Sequence, residues 1–219
     1  MEYPNITVIG ESYDAFGLET VIMHEVGHNW FYGILGTNER DHPWMDEGLN
    51  SMNENRYIET KYPNRKWIGE PDEQTLKIAA HFDIDQYTHK TNYELAYLIA
   101  ARKNTDQPIE FKAAEYSSWN YGGIVYSKTA IAFDYLMAYL GEETYDRCMQ
   151  RYYEEWKFKH PAPEDFRKIF EEETGKDLSW FFDQVIKTTK KIDYKIVKAK
   201  PDTADETKVQ IKVVNKGIA

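Results

Sequence analysis

The sequence predicts an α+β fold, a small sheet with a mostly helical lobe, and three observations carry that prediction. Residues 17–34 have helical spacing and include the run His24-Glu25-Val26-Gly27-His28. From Gly122 to about Lys187, apolar-rich helical stretches are separated by breaks at Gly141, Pro163 and Gly175. Residues 192–198 and 208–214 instead alternate apolar and polar side chains, which is the strand period. The 219 residues suffice for one large domain or one and a half ordinary ones. An apolar share of 42% with 15% aromatics supports a packed core and argues against disorder.

In chain order, residues 1–10, with Ile6, Val8 and Ile9, read as a strand that enters with no preceding turn. Such a bare edge predicts a start cut from something larger. Gly17 then opens a helix whose buried face is expected from Val21, Ile22, Trp30 and Phe31, with His24 and His28 towards a cleft. Gly33 and Gly36 end it. A polar loop, 37–43, leads into a second helix over 44–59, closed by Pro63 and Asn64. Residues 65–110 are less informative, with helices near 72–82 and 92–102 and a loop at 104–108. Further helices are expected at 124–140, 142–156, 163–173 and from Asp177 to about 187. The two C-terminal strands, joined by 201–206, make a hairpin too small to stand alone. The expected division is therefore a catalytic-type domain over 1–190 and, over 191–219, the beginning of a β-sandwich-like domain.

Charge narrows the partners. The net charge is −10, yet residues 187–219 hold nine Lys and four acidic residues, so the preceding body is more acidic than the total. That argues against nucleic acid, which needs a basic surface; the acidic body reads first as a solvated surface and secondly as one that suits a substrate with a free amine. No apolar run approaches the ~18 residues of a membrane span. Cys148 is the only cysteine, so no disulfide can form within the chain and the compartment is not indicated. It lies in a helical stretch with no histidine nearby and reads as inert. Nothing in the chain sets the oligomeric state.

The chemistry gathers at residues 24–47. On a helix, residues four apart share a face, so His24 and His28 can hold one metal ion, and Glu25 sits where its carboxylate reaches a water on that ion. Zinc needs a third protein ligand and one open position to be catalytic. Glu47, in Trp44-Met45-Asp46-Glu47-Gly48-Leu49, is the candidate, because a second helix folding back across the loop brings it to the first. Two imidazoles and a carboxylate then activate water for attack on a carbonyl carbon, with Glu25 as general base. The resulting oxyanion would gain from one more donor, and seventeen tyrosines are available.

His24-Glu25-Val26-Gly27-His28-Asn29-Trp30-Phe31, then 18 residues after His28 an Asp46-Glu47-Gly48, resembles the gluzincin metallopeptidases of the aminopeptidase N type. The resemblance covers nearly the whole chain, including Leu140-Gly141-Glu142-Glu143, Pro163-Glu164-Asp165-Phe166 and Ser179-Trp180-Phe181-Phe182. It implies a thermolysin-like catalytic domain, one zinc ion held by His24, His28 and Glu47, and Glu25 as the base. It also implies Tyr126, in Tyr126-Ser127-Lys128-Thr129, as oxyanion donor, although Ser127 and Thr129 depart from the family's Tyr-Glu-Lys-Gly. Glu54 matches a glutamate one helical stretch beyond the ligand, which would either support a metal-bound side chain or stand as a solvated carboxylate on the helix face. Met1-Glu2-Tyr3-Pro4 resembles the bacterial form of the strand whose glutamate binds the substrate's amine, which makes Glu2 the amine anchor. The expected partner is a peptide, shortened from its N-terminus. Two rival readings use the same residues: a zinc endopeptidase or other amide hydrolase, and a zinc-holding peptide-binding module that does not turn over in a truncated chain.

Overall fold

A computed structural model of the chain describes residues 1–11, 14–66, 72–191, 193–205 and 207–217. Helix α1, Ala15–Gly27, starts where the Asp14 side chain accepts a hydrogen bond from the Gly17 amide at 2.7 Å. Helix α2, Glu47–Lys61, follows a tight turn at Pro43–Met45. Helices α3 (Glu73–His81) and α4 (Thr91–Lys103) come next. A single turn, α5 (Ser118–Asn120), runs into a π-helical segment, Tyr121–Lys128, and then into α6, Thr129–Leu140. Gly141, at φ 85°, breaks the chain before α7, Glu142–Trp156. Pro163 opens α8, Pro163–Thr174, where the Asp165 carboxylate accepts from the Ala162 amide at 2.9 Å. A second π-helical segment, Trp180–Ile186, precedes the antiparallel hairpin of β1 (Tyr194–Pro201) and β2 (Val209–Asn215).

The core is aromatic and lies in the helical lobe. Trp44 stacks on Phe133 at 5.5 Å and meets Phe166 edge-on, while Phe133 also packs against Phe181. All four rings are fully buried, each contributing about 1.5–3 kcal/mol. Trp44 donates its indole N–H to Glu110 at 2.6 Å, so its one polar atom is satisfied. This cluster holds the start of α2 against α6. Contact of α2 with α6 and the π-helical segment is close: a Cβ on Gly48 would lie 2.3 Å from Thr129 Cγ2 and 2.7 Å from the Val125 carbonyl oxygen.

Several expectations from the sequence change. Residues 1–10 form no strand; they turn on themselves, with Val8 N–H bonded to the Met1 carbonyl at 2.9 Å and Asn5 at φ 65°. A strand needs a neighbour to share its hydrogen bonds, and among the described residues none lies beside it. Helix α1 ends at Gly27 and not near Ile34, because His28 caps it and the following backbone bends through Tyr32 at φ 90°. Its expected buried face is also wrong for Val21, Ile22 and Trp30, which stand 38, 41 and 49% exposed; Phe31 alone packs on the core. The helix expected over 124–140 is α-helical only from Thr129. At the hairpin, Ile192 and Glu206 lie outside the described residues; the paired strands are exposed along both faces. Among the described residues no helix is long and apolar enough to cross a membrane.

Candidate metal centre

His24 lies in the last turn of α1, His28 caps that helix, and Glu47 is the first residue of α2. Close packing of α1 against α2 brings them together across the connection over residues 28–46. A Cβ on Gly27 would sit 2.0 Å from Asn50 Oδ1, so glycine is what lets α1 approach α2. Asn50 Nδ2 donates to the His24 carbonyl at 2.7 Å, pinning the end of α1 to α2.

Three donor atoms converge. His24 Nε2 and His28 Nε2 are 3.2 Å apart, and Glu47 Oε2 lies 3.1 Å from the first and 3.2 Å from the second. Around a tetrahedral zinc with bonds near 2.0–2.1 Å, neighbouring ligand atoms stand about 3.3 Å apart. The three edges fall within about 0.2 Å of that figure, so this donor set fits zinc. The remaining ring nitrogens are held as well. His24 Nδ1 is 3.1 Å from Glu54 Oε2, and His28 Nδ1 is 2.6 Å from Asp46 Oδ1. Carboxylates in these positions orient a ligating imidazole and raise its basicity.

Each ring therefore faces a carboxylate on both nitrogens. Burial works to lower the His24 pKa, but the hydrogen bonds to Glu47 and Glu54 outweigh it and raise the value to about 9. For His28, burial is likewise outweighed, by Asp46 and Glu47, and the pKa rises to about 10. Burial would raise Glu47, yet His24, His28 and Tyr126 together hold it down at about 2. Glu54 is held at about 2 against its burial by His24, His89 and Tyr93.

The other residues singled out from the sequence surround this triad. Tyr126 donates its hydroxyl to Glu47 Oε1, and its ring stacks on His24 at 6.0 Å. Burial and the Glu47 charge push the phenol well above its ordinary pKa, so it remains a donor. A cavity of about 340 Å³ is lined by Glu2, His24, Glu25, Glu47, Glu54 and Tyr126. An adjoining cavity of about 550 Å³ is lined by Glu2, Glu25 and His28 together with Tyr32, Thr37 and His160. Glu2 and Glu25 are mostly buried, and the Met1 amino group lies 2.5 Å from Glu25 Oε2 and 3.7 Å from Glu2 Oε2. All seven sequence-selected residues thus meet at one cleft.

Three contributors were missed. Asp46 stands beside the expected ligand in the same motif, and a carboxylate next to a histidine site was its only signal. His89 Nε2 and the Tyr93 hydroxyl reach Glu54 Oε1 at 3.0 and 2.6 Å. They come from the middle stretch, where no pattern marked them.

Comparison with known proteins adds a second line of observation. The family model described as the peptidase family M1 domain matches residues 11–185. Aminopeptidase M1-B of rice is 23% identical over 84% of this chain and 19% of its own length. Aminopeptidase N of Lactococcus lactis is 24% identical over 74% of the chain and 18% of its own length. Glutamyl aminopeptidase of Bitis rhinoceros is 26% identical over 81% of the chain and 17% of its own length. The chain thus spans about a fifth of the length of these relatives. Among solved structures, a mutant M1 zinc metallopeptidase of Deinococcus radiodurans bound to a Tyr-Ser-Ala substrate matches with a TM-score of 0.54. Its identity is 14%, over 77% of this chain and 33% of that one. Aminopeptidase A of Legionella pneumophila, in complex with aspartic acid, matches at 0.50 with 18% identity, over 90% and 20% of the two chains. These likenesses bear out the α+β, thermolysin-like catalytic fold.

Proposed function

Since the chain belongs to peptidase family M1, we propose that it carries the hydrolytic centre of a zinc-dependent aminopeptidase, releasing residues from peptide N-termini. The observation that carries this reading is the convergence of His24, His28 and Glu47, at near-tetrahedral spacing, on a cleft also lined by Glu25 and Tyr126. His24, His28 and Glu47 would hold one zinc ion. When bound, zinc supplies a Lewis acid that polarises the scissile carbonyl and makes water acidic enough to react near neutral pH.

The chain's own residues do the rest. Glu25 accepts the proton of the attacking water and returns it to the leaving amine nitrogen. Tyr126 donates its hydroxyl hydrogen bond to the oxygen that gains charge at the carbonyl, a role supported by its raised pKa and its place beside Glu47. Asp46 and Glu54 hold the two imidazoles by their Nδ1 atoms. Glu2 receives the substrate's α-ammonium, supported by its place on the same cavity wall as Glu25. That anchor would set the distance from the amine to the cleaved bond, which makes the enzyme an exopeptidase.

The test is hydrolysis by the zinc-loaded chain of a short peptide and its N-acetylated twin. Cleavage of the free amine form with the acetylated form at least about tenfold slower is expected, since one buried charge-assisted contact is lost. Equal rates would overturn the exopeptidase assignment. Bound zinc without hydrolysis of any peptide would overturn the enzymatic one.

A further inference from the structure

Away from the cleft, a cavity of about 610 Å³ opens between α4, α6 and the segment that leads into the hairpin. It shares no lining residue with the two cavities at the metal cluster. Its charge is opposite to that of the chain, which is −10 overall. Arg102, Lys128, Lys190, Lys191 and Lys216 line it, with Asp193 as the one acid among the lining residues. Its walls are apolar, from Leu98, Ile131, Tyr135 and Val185.

Lys128 is the unusual member. It is 4% exposed, a state lysine rarely adopts without a partner. Among the described residues its ammonium makes two long contacts, 3.5 Å to the Gln107 carbonyl and 3.3 Å to the Thr188 carbonyl, with the Tyr97 ring 5.6 Å away. The nearby acid, Asp106, is already engaged by Lys191 at 3.3 Å. Burial therefore draws the Lys128 pKa down to about 8, with Asp106 opposing the shift and Lys191 adding to it. Among the described residues no acid lies within ion-pair distance of Lys128, so its burial is costly, and an anion placed in the cavity would offset that cost.

We propose that this cavity binds a small organic anion, one acidic head group on an apolar body, with Lys128 as its buried cationic partner. The volume lies within the range of small-molecule sites, and apolar walls with a few convergent charges are the lining such a ligand needs. The surrounding Arg102, Lys190, Lys191 and Lys216 draw the anion in, while Leu98, Ile131 and Val185 take its body. A bare inorganic ion would leave those walls uncovered. Because Lys128 lies two residues beyond Tyr126 on the same π-helical segment, an occupant would rest against the element that carries the oxyanion donor.

Calorimetric titration of the chain with octanoate, octanamide and inorganic phosphate tests this. Octanoate should bind at one saturable site, with octanamide and phosphate each at least about tenfold weaker, since each lacks one half of the recognition. Lys128→Met should weaken octanoate by about tenfold or more. Equal binding of octanoate and octanamide, or of octanoate and phosphate, would overturn the proposal. So would undiminished octanoate binding by Lys128→Met, the result expected of a carboxylate bound at the metal centre. If that variant does not fold, the double variant Arg102→Met/Lys216→Met should weaken octanoate about threefold and flatten its salt dependence; no change in either would overturn the proposal equally.

Discussion

Zinc uptake by the metal-free chain should release two protons near pH 7. Both nitrogens of His24 and of His28 face carboxylates, and their pKa values are raised to about 9 and about 10. At pH 7 each ring is an imidazolium. A metal can take only the deprotonated Nε2, so each ring must shed one proton while Nδ1–H stays with Glu54 or Asp46. Glu47, held at about 2, is already ionised and sheds none. Apparent zinc affinity should therefore climb by about two log units per pH unit, about a hundredfold between pH 7 and 8. The dependence flattens as pH passes 9–10, where the rings lose those protons without the metal. The same groups act on stability with the opposite sign. Their raised values stabilise the metal-free fold fully below the unfolded pKa and cease to do so as pH rises through 9–10. Chelator-competition titrations at several pH values, with calorimetry in buffers of different ionisation enthalpy to count protons, measure both. A pH-independent affinity or no proton release at pH 7 would refute the doubly paired histidines.

Other outcomes follow from single contacts. Glu25→Gln should keep zinc and lower kcat by about 10²–10⁴, measured on a free-amine peptide; undiminished turnover removes Glu25 as the base. Tyr126→Phe should lower kcat by about 10²–10³ with little change in KM, and a pure KM effect would deny it a role in oxyanion stabilisation. Glu54→Gln should weaken zinc about ten- to a hundredfold in a chelator competition, because His24 loses its anionic partner; an unchanged Kd would detach Glu54 from the metal centre. Gly48→Ala should cost about 1–3 kcal/mol in denaturant unfolding, since the new methyl meets Thr129 and the Val125 carbonyl; a stability equal to the parent would show that α2 and the π-helical segment can separate freely.

The local pattern alone put forward the candidate metal ligands. Two histidines four apart at the end of one helix and a glutamate opening the next are spacings written in the chain. The helices Glu142–Trp156 and Pro163–Thr174 were legible for the same reason, because Gly141, Pro163 and Gly175 mark their ends wherever they pack, whereas the helix expected from Asp177 is π-helical and begins only at Trp180. What depends on partners distant in sequence was not legible. The exposed face of α1 and the unpaired residues 1–10 could not be foreseen, because periodicity records which side chains are apolar, not whether another element covers them. The π-helical turn that aims Tyr126 at Glu47 depends on how α2 packs at Gly48. His89 and Tyr93 reach Glu54 only through the placement of α4 and the turn before it, 35 and 39 residues away along the chain. Spacing thus settled which side chains could meet a metal. Long-range packing alone decided how each ligand is held, which charges lie beside it, and that a buried lysine two residues beyond Tyr126 opens on a separate basic cavity.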